Sequence, residues 1–177
     1  YLHPLSLEEL PLGQDTLLVM AEDIRDPGNL GTLLRTMDAV KGSGMVVAGA
    51  STDPTHPRCL KASMGTCFRL PVARAESVEA FLSWAKERKI WTVATTARRG
   101  ESYWSAPYRL PLALLLGNEG EGLRSETLAS ADVIARIPMW GTASSLNISV
   151  AAGVLLYEIR RREAPGLSGE EEKPTGV

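Results

Sequence analysis

The segment LPLALLLGN, residues 110–118, is nearly unbroken in apolar side chains. A strand with one wet face alternates polar and apolar residues, so a run like this suits a parallel strand covered on both faces. TLLVMAED (16–23), GMVVAGA (44–50), IWTVATTA (90–97) and DVIARIPM (132–139) are further strand-length runs. Between them the period changes. LGTLLRTMDAV carries apolar residues at 30, 33, 34 and 37, and Glu76–Arg88 places Val78, Phe81, Leu82 and Ala85 on one helical face. Short helices over Pro57–Gly65 and Leu123–Ala129, a short strand FRLPVA and a closing helix Leu146–Arg162 complete the pattern. This alternation predicts an α/β fold, a mostly parallel sheet with helices on both faces.

The 177 residues suffice for one domain with a proper core, expected over residues 1–163. Residues 164–177 contain Gly, Pro and a Glu run and are expected to be disordered. No apolar run is long enough to span a bilayer and no export signal opens the sequence, so a cytoplasmic protein is expected. Cys59 and Cys67 then suit reduced thiols. His3 and His56 lack ligand-like spacing, which argues against a metal site. The net charge of −2 argues against a general polyanion binder. A local patch could still draw on Arg25, Arg35, Lys41, Arg58, Lys61, Arg69, Arg98 and Arg99.

In sheets of this kind ligands bind beyond the carboxyl ends of the strands. Three strands end there in small, polar loops: DIRDPGN, GNEGEG and MWGTASS. GNEGEG is neither a Walker A loop nor G-x-G-x-x-G. Its glycines serve either a tight turn or the close approach of backbone to a planar ligand, with Glu119 as an acid in the loop. Asn29 and Arg35 read as a helix cap with an exposed cation, or as a grip on phosphate. Ser145, Asn147 and Ser149 stand at spacing two where the closing helix begins; Ser145 could cap it, and Ser149 reads as structural. Trp104 and Tyr108 could stack on a base, with packing the favoured role. The closing helix is apolar almost all round, as a helix buried on more than one side would be, for instance against a second subunit.

Taken together, NLGTLLRT, LLLGNEGEGL and IPMWGTASSLNISVAAGVLLYE occur in order, each after a strand. They closely resemble the three motifs of the SpoU/TrmH family of RNA 2′-O-ribose methyltransferases, over roughly Thr16 to Arg162. The resemblance implies a C-terminal trefoil knot that forms the S-adenosylmethionine pocket, and a homodimer whose active sites are completed near the subunit interface. It implies that Gly117, Ile137 and Leu146 hold the cofactor's adenine and ribose through their backbone, with Thr95 and Thr96 lining the same pocket. Asn29, Arg35, Glu119, Ser145 and Asn147 match the polar residues around the transferred methyl and the target ribose. In the family the arginine matching Arg35 is proposed as the base. A guanidinium is a donor only, so Arg35 is expected instead to grip an RNA phosphate, held in place by Glu119. The substrate expected is RNA, ribosomal in preference to transfer RNA. A non-catalytic RNA-binding or ribosome-assembly factor of the same fold is the rival reading.

Overall fold

The computed structural model describes residues 4–163. The expected disordered tail lies outside the described residues. Seven strands form one sheet: β1 (Leu17–Glu22), β2 (Gly44–Ala48), β3 (Val72–Arg74), β4 (Trp91–Thr95), β5 (Glu101–Ser102), β6 (Leu112–Leu116) and β7 (Val133–Arg136). Their order is β3-β2-β1-β6-β4-β7-β5, and every ladder is parallel. Five helices accompany them: α1 (Pro27–Ala39), α2 (Pro57–Ala62), α3 (Val78–Glu87), α4 (Ser125–Ser130) and α5 (Ile148–Glu163).

The unbroken apolar runs follow from cover on both faces. Leu17, Val19 and Ala21 of β1 join α1 and α5 in one core, together with Leu112, Leu114 and Leu116 of β6. Leu18, Met20, Ala113 and Leu115 point the other way, into a second core built on Val78, Phe81, Trp84 and Ala85 of α3. Successive strand residues face opposite sides, so each face needs its own apolar set. The expected strands and helices form, with ends shifted by a few residues. The expected strand FRLPVA begins instead as a 3-10 turn, Thr66–Phe68, and β3 starts only at Val72. The two-residue β5 was not expected; ES carries no periodic signal.

From β1 the chain runs outward through β2 to β3, then crosses to β4 on the other side, and β6 later fills the gap between β1 and β4. The reversal of direction lies at β1, β6 and β4, where the carboxyl ends of parallel strands leave a crevice for ligands. Helix α5 then packs beside α1. Its last turn is fastened by arginines. Arg160 Nε and Nη2 donate to the carbonyls of Val40 (2.7 Å) and Lys41 (2.6 Å), and Arg162 Nη1 donates to that of Ala106 (2.7 Å). Glu158 accepts from Arg161 and Arg162 at 2.8 Å each.

Candidate active site

The loop after β1 leads into α1. Asp26, not Asn29, caps that helix: its Oδ1 accepts the Asn29 N–H at 2.8 Å, and Pro27 occupies the first turn, where its missing N–H costs nothing. The capping role weighed for Asn29 therefore falls to Asp26. Asn29 sits just inside the helix with its amide free to face the loops.

The loop after β6 is shaped by Asn118. Its Oδ1 accepts the N–H groups of Gly120 (2.9 Å) and Glu121 (2.7 Å), and its carbonyl accepts the N–H of Gly122 (3.1 Å). Gly122 has φ +76°, a conformation that favours glycine. Gly117 is buried, and a Cβ there would overlap the backbone of Gly122 and Leu123. The glycines thus fold the loop tightly back on itself and leave Glu119 exposed at its tip.

The loop after β7 runs from 137 to 147. Asn147 Oδ1 accepts the Ser149 N–H at 2.9 Å, so Asn147 closes the first turn of α5 and Ser145 does not cap it. Among the described residues, the backbone of residues 137–146 makes no hydrogen bond.

These three loops meet on Asn29. Its Nδ2 donates to Glu119 Oε1 at 2.7 Å, and its Oδ1 accepts from Asn147 Nδ2 at 3.1 Å and from Ser149 Oγ at 3.4 Å. Ser149 Oγ also lies 3.2 Å from the Asn29 carbonyl. Residues 29, 119 and 147 are brought together from across the chain, and the amide's donor and acceptor ends are both used. The buried Ser149, read from sequence as structural, is a member of this cluster. Its spacing of two from Asn147 was visible; its partner on another helix was not.

Ser145 and Leu146 lie exposed on the same loop, and Ile137 is half-buried at the end of β7. Thr95 and Thr96, half-buried, end β4 beside β6 and β7. Thr95 Oγ1 donates to the Leu115 carbonyl at 3.0 Å, so its hydroxyl proton ties β4 to the neighbouring β6. Arg35 is exposed and makes no bond to Glu119, which accepts from Asn29 instead. Six residues on from Asn29, Arg35 stands roughly 120° away around α1. The structure thus joins Asn29, Glu119 and Asn147 directly and leaves Arg35 outside the cluster.

An ionic latch not singled out in the sequence ties the chain just after the glycine loop to the end of β1. Arg124, just after the glycine loop, lies 3.2 Å from Glu22 Oε1 and donates to Asp23 Oδ2 at 2.7 Å. Glu22 is fully buried, and burial pushes its carboxyl up; the Arg124 charge opposes this. Burial also raises Asp23, but hydrogen bonds from the Ala50 N–H and from Arg124 hold it below the usual range. Glu-Asp at the end of an apolar strand was the available signal, because buried carboxylates need a cation. The latch holds the far end of the glycine loop against the end of β1.

Other features point away from chemistry. His56 Nδ1 accepts the Arg58 N–H at 3.2 Å, and no group able to hold a metal ion occurs among the described residues. Arg58 pairs with Asp26 and Arg69 with Asp38, at 3.3 Å and 2.9 Å. An apolar groove lined by Pro4, Leu5, Pro54, Phe68, Leu70 and Val72 lies at the β3 edge, remote in the sheet from the cluster. No described helix is long and apolar enough to cross a membrane.

Comparison with known proteins fits this geometry. Residues 16–157 match the SpoU rRNA Methylase family. The chain is 33% identical over 153 residues to the 23S rRNA (guanosine(2553)-2'-O)-methyltransferase RlmP of Bacillus subtilis, covering 86% of this chain and 60% of that one. It superposes on the SpoU methyltransferase AviRb of Streptomyces viridochromogenes in complex with AdoMet, with a TM-score of 0.83 and 34% identity, covering 89% of this chain and 62% of that one. An AdoMet-bound rRNA methyltransferase from Sinorhizobium meliloti gives a TM-score of 0.86 and 38% identity, covering 90% and 61%. The chain spans about three fifths of the length of these relatives. The match covers β1 through most of α5 and takes in all three loops of the cluster, and on that basis this chain belongs to the SpoU rRNA methylase family.

Proposed function

We propose that this chain transfers the methyl group of S-adenosylmethionine to a ribose 2′-oxygen of RNA, ribosomal RNA in preference to transfer RNA, in the cytoplasm. The observation that carries the reading is the junction of three loops on Asn29 at the carboxyl ends of β1, β6 and β7. The residues fit the cofactor. Unpaired backbone at 137–146 offers donors and acceptors to an adenine and its ribose, in line with the roles expected for Ile137 and Leu146. Gly117 and the ends of β4 supply the facing wall, with Thr95 and Thr96. We place the catalytic unit at residues 1–163.

When bound, the sulfonium cofactor supplies an already activated methyl group. The chain's work is placement, worth roughly 7–11 kcal/mol when reacting groups are held in near-attack geometry. Asn29 orients Glu119 through its Nδ2 and Asn147 through its Oδ1, leaving Glu119 Oε2 and the Ser145 hydroxyl to meet the ribose. Arg35, a donor only, holds an RNA phosphate. The 2′-hydroxyl proton passes to a phosphate oxygen or to water.

The dimer is part of the proposal. Val150 and Tyr157 are 54% and 59% exposed and fall on one stripe of α5, uncovered by this chain, and Leu146 on the loop just before the helix is 37% exposed. With Arg35 turned away from Asn29 on the adjacent α1, the dimer would let it serve the partner's site. The trefoil knot is likewise proposed. It is supported by the return of the chain from β7 to α1 and by the arginine bonds that fasten α5 to Val40, Lys41 and Ala106.

Labelled-methyl incorporation into total RNA lacking the modification, followed by mapping of the product nucleotide, tests the reading. Label in a ribose methyl of ribosomal RNA supports it; label in transfer RNA alone redirects the substrate. No incorporation, with no binding of S-adenosylmethionine or S-adenosylhomocysteine in calorimetry, leaves the non-catalytic factor.

A further inference from the structure

Two tryptophans far apart in the chain meet at the surface. The rings of Trp104 and Trp140 are within 4° of parallel with centroids 5.9 Å apart, an offset stack. Tyr103 abuts Trp104 edge-on at 5.2 Å. Trp140 is nevertheless 85% exposed and Trp104 47%. Tyr108, by contrast, takes the packing role: its hydroxyl donates to the Tyr103 carbonyl at 2.7 Å and Arg162 covers its ring. Among the described residues neither indole N–H of the stacked pair makes a hydrogen bond.

An exposed aromatic plane held by a second ring does little for the fold and is pre-shaped for a flat ligand. Its position says which ligand. Trp140 lies on the 137–147 loop, between Ile137 and Ser145, the loop that brings Asn147 to the cluster. Trp104 follows β5, which pairs with β7. The neighbouring loop after β4 carries Arg98 and Arg99, exposed and without an ion pair among the described residues. Arg136 Nε donates to the Gly100 carbonyl at 3.1 Å and fastens that loop to the end of β7. Aromatic faces flanked by unpaired cations are how proteins hold unstacked nucleotides, since every base has a π-face and each phosphate a charge.

We propose that Trp140, backed by Trp104, is a stacking platform for an unpaired nucleobase of the RNA strand, next to the nucleotide presented to the cluster, with Arg98 and Arg99 on the adjoining phosphates. The proposal rests on the reading of the chain as an RNA 2′-O-methyltransferase. It goes beyond that reading by assigning a strand-holding subsite and a requirement for an unpaired base.

The test compares the unchanged protein with Trp140→Ala, Trp140→Phe and Trp104→Ala. KM for RNA and Kd for S-adenosylmethionine are measured separately. Quenching of tryptophan emission is followed with single-stranded oligoadenylate and with its abasic analogue. Stacking on an aromatic is worth about 1–3 kcal/mol per base by alanine substitution. Trp140→Ala should therefore raise KM for RNA roughly 5- to 150-fold, with cofactor Kd within about twofold. Trp140→Phe should keep most of the affinity, and the abasic strand should lose the quench. An unchanged KM for RNA would overturn the proposal, as would a loss confined to cofactor Kd. Conversion of Trp140→Ala to a smaller species in sedimentation, showing that a second copy covers the rings, would overturn it too. If the unchanged protein methylates no RNA, the parent reading fails by itself, and the oligoadenylate quench still decides for or against the platform.

Discussion

Replacing Asn29 by aspartate isolates the junction of the three loops, because the change is isosteric and reverses one atom's role. In the native site Nδ2 donates to Glu119 Oε1 at 2.7 Å. In Asn29→Asp an acceptor faces that carboxylate. Losing a hydrogen bond to a charged group costs about 1.5–3 kcal/mol, and the low end applies at a half-exposed site. Two charges about 4 Å apart repel by about 1 kcal/mol in water and about 4 kcal/mol at an effective dielectric near 20. The other face offsets part of this, since Asn147 Nδ2 and Ser149 Oγ still donate to a now charged oxygen. The net loss is on the order of 1–3 kcal/mol, or about 5- to 150-fold in cofactor Kd at neutral pH. Calorimetry with S-adenosylmethionine reads it directly. Two companions sharpen the test. Acidifying the Asn29→Asp protein should recover affinity, because one proton shared between the carboxylates restores a donor. Adding Glu119→Gln should also recover it, with the hydrogen bond running the other way. Native affinity in Asn29→Asp across the pH range, or strictly additive effects in the double variant, would refute the claim that Asn29 joins the loops.

Gly117→Ala would place a methyl on the backbone of Gly122 and Leu123, so it should cost about 1–3 kcal/mol in urea unfolding and abolish cofactor binding, while a native urea midpoint would show that the loop opens freely. Ser149→Ala removes the hydroxyl that meets Asn29 and should weaken cofactor binding about fivefold, roughly one neutral hydrogen bond, with little change in the far-ultraviolet spectrum. Glu158 is bonded by Arg161 and, against the opposing effect of burial, by Arg162 as well, which hold its carboxyl down from 4.5 to about 2. A depressed acid stabilises the fold above its unfolded-state value and ceases to do so as pH falls toward the folded value. The stability gap between the unchanged protein and Glu158→Gln should be full at pH 7, on the order of 1–2 kcal/mol, and should close between about pH 5 and pH 2. A gap independent of pH would contradict the ion-pair account.

Legibility in the sequence followed physical cause. The parallel sheet was legible because strands covered on both faces need unbroken apolar runs, as in Leu112–Leu116, and because helices such as Val78–Glu87 keep their period. β5 was illegible: two residues, Glu101 and Ser102, have no period, and their pairing with β7 is set by the loop around them. The site was legible as three loops and as residue types. Which side chain bonds which was not, since Asn29 meets residues 119 and 147 only through the sheet order. The bond of Glu119 to Asn29, where Glu119 is expected beside Arg35, and that of the buried Ser149 to Asn29 both depend on that order. Asp26 outcompetes Asn29 as the cap because Pro27 fixes the first helical position, a cue present in the sequence as Asp-Pro. The Glu22–Asp23–Arg124 latch joins two loops that no local pattern relates.

The central claim is that the loops after β1, β6 and β7 hold one methyl donor beside one sugar oxygen. A crystal structure with S-adenosylmethionine tests it most directly. The account predicts the adenine against the backbone of Gly117, Ile137 and Leu146, with the sulfonium methyl turned toward Asn29, Glu119 and Asn147. Cofactor bound in the apolar groove at the β3 edge, or lying along the sheet with its methyl away from Asn29, would contradict it.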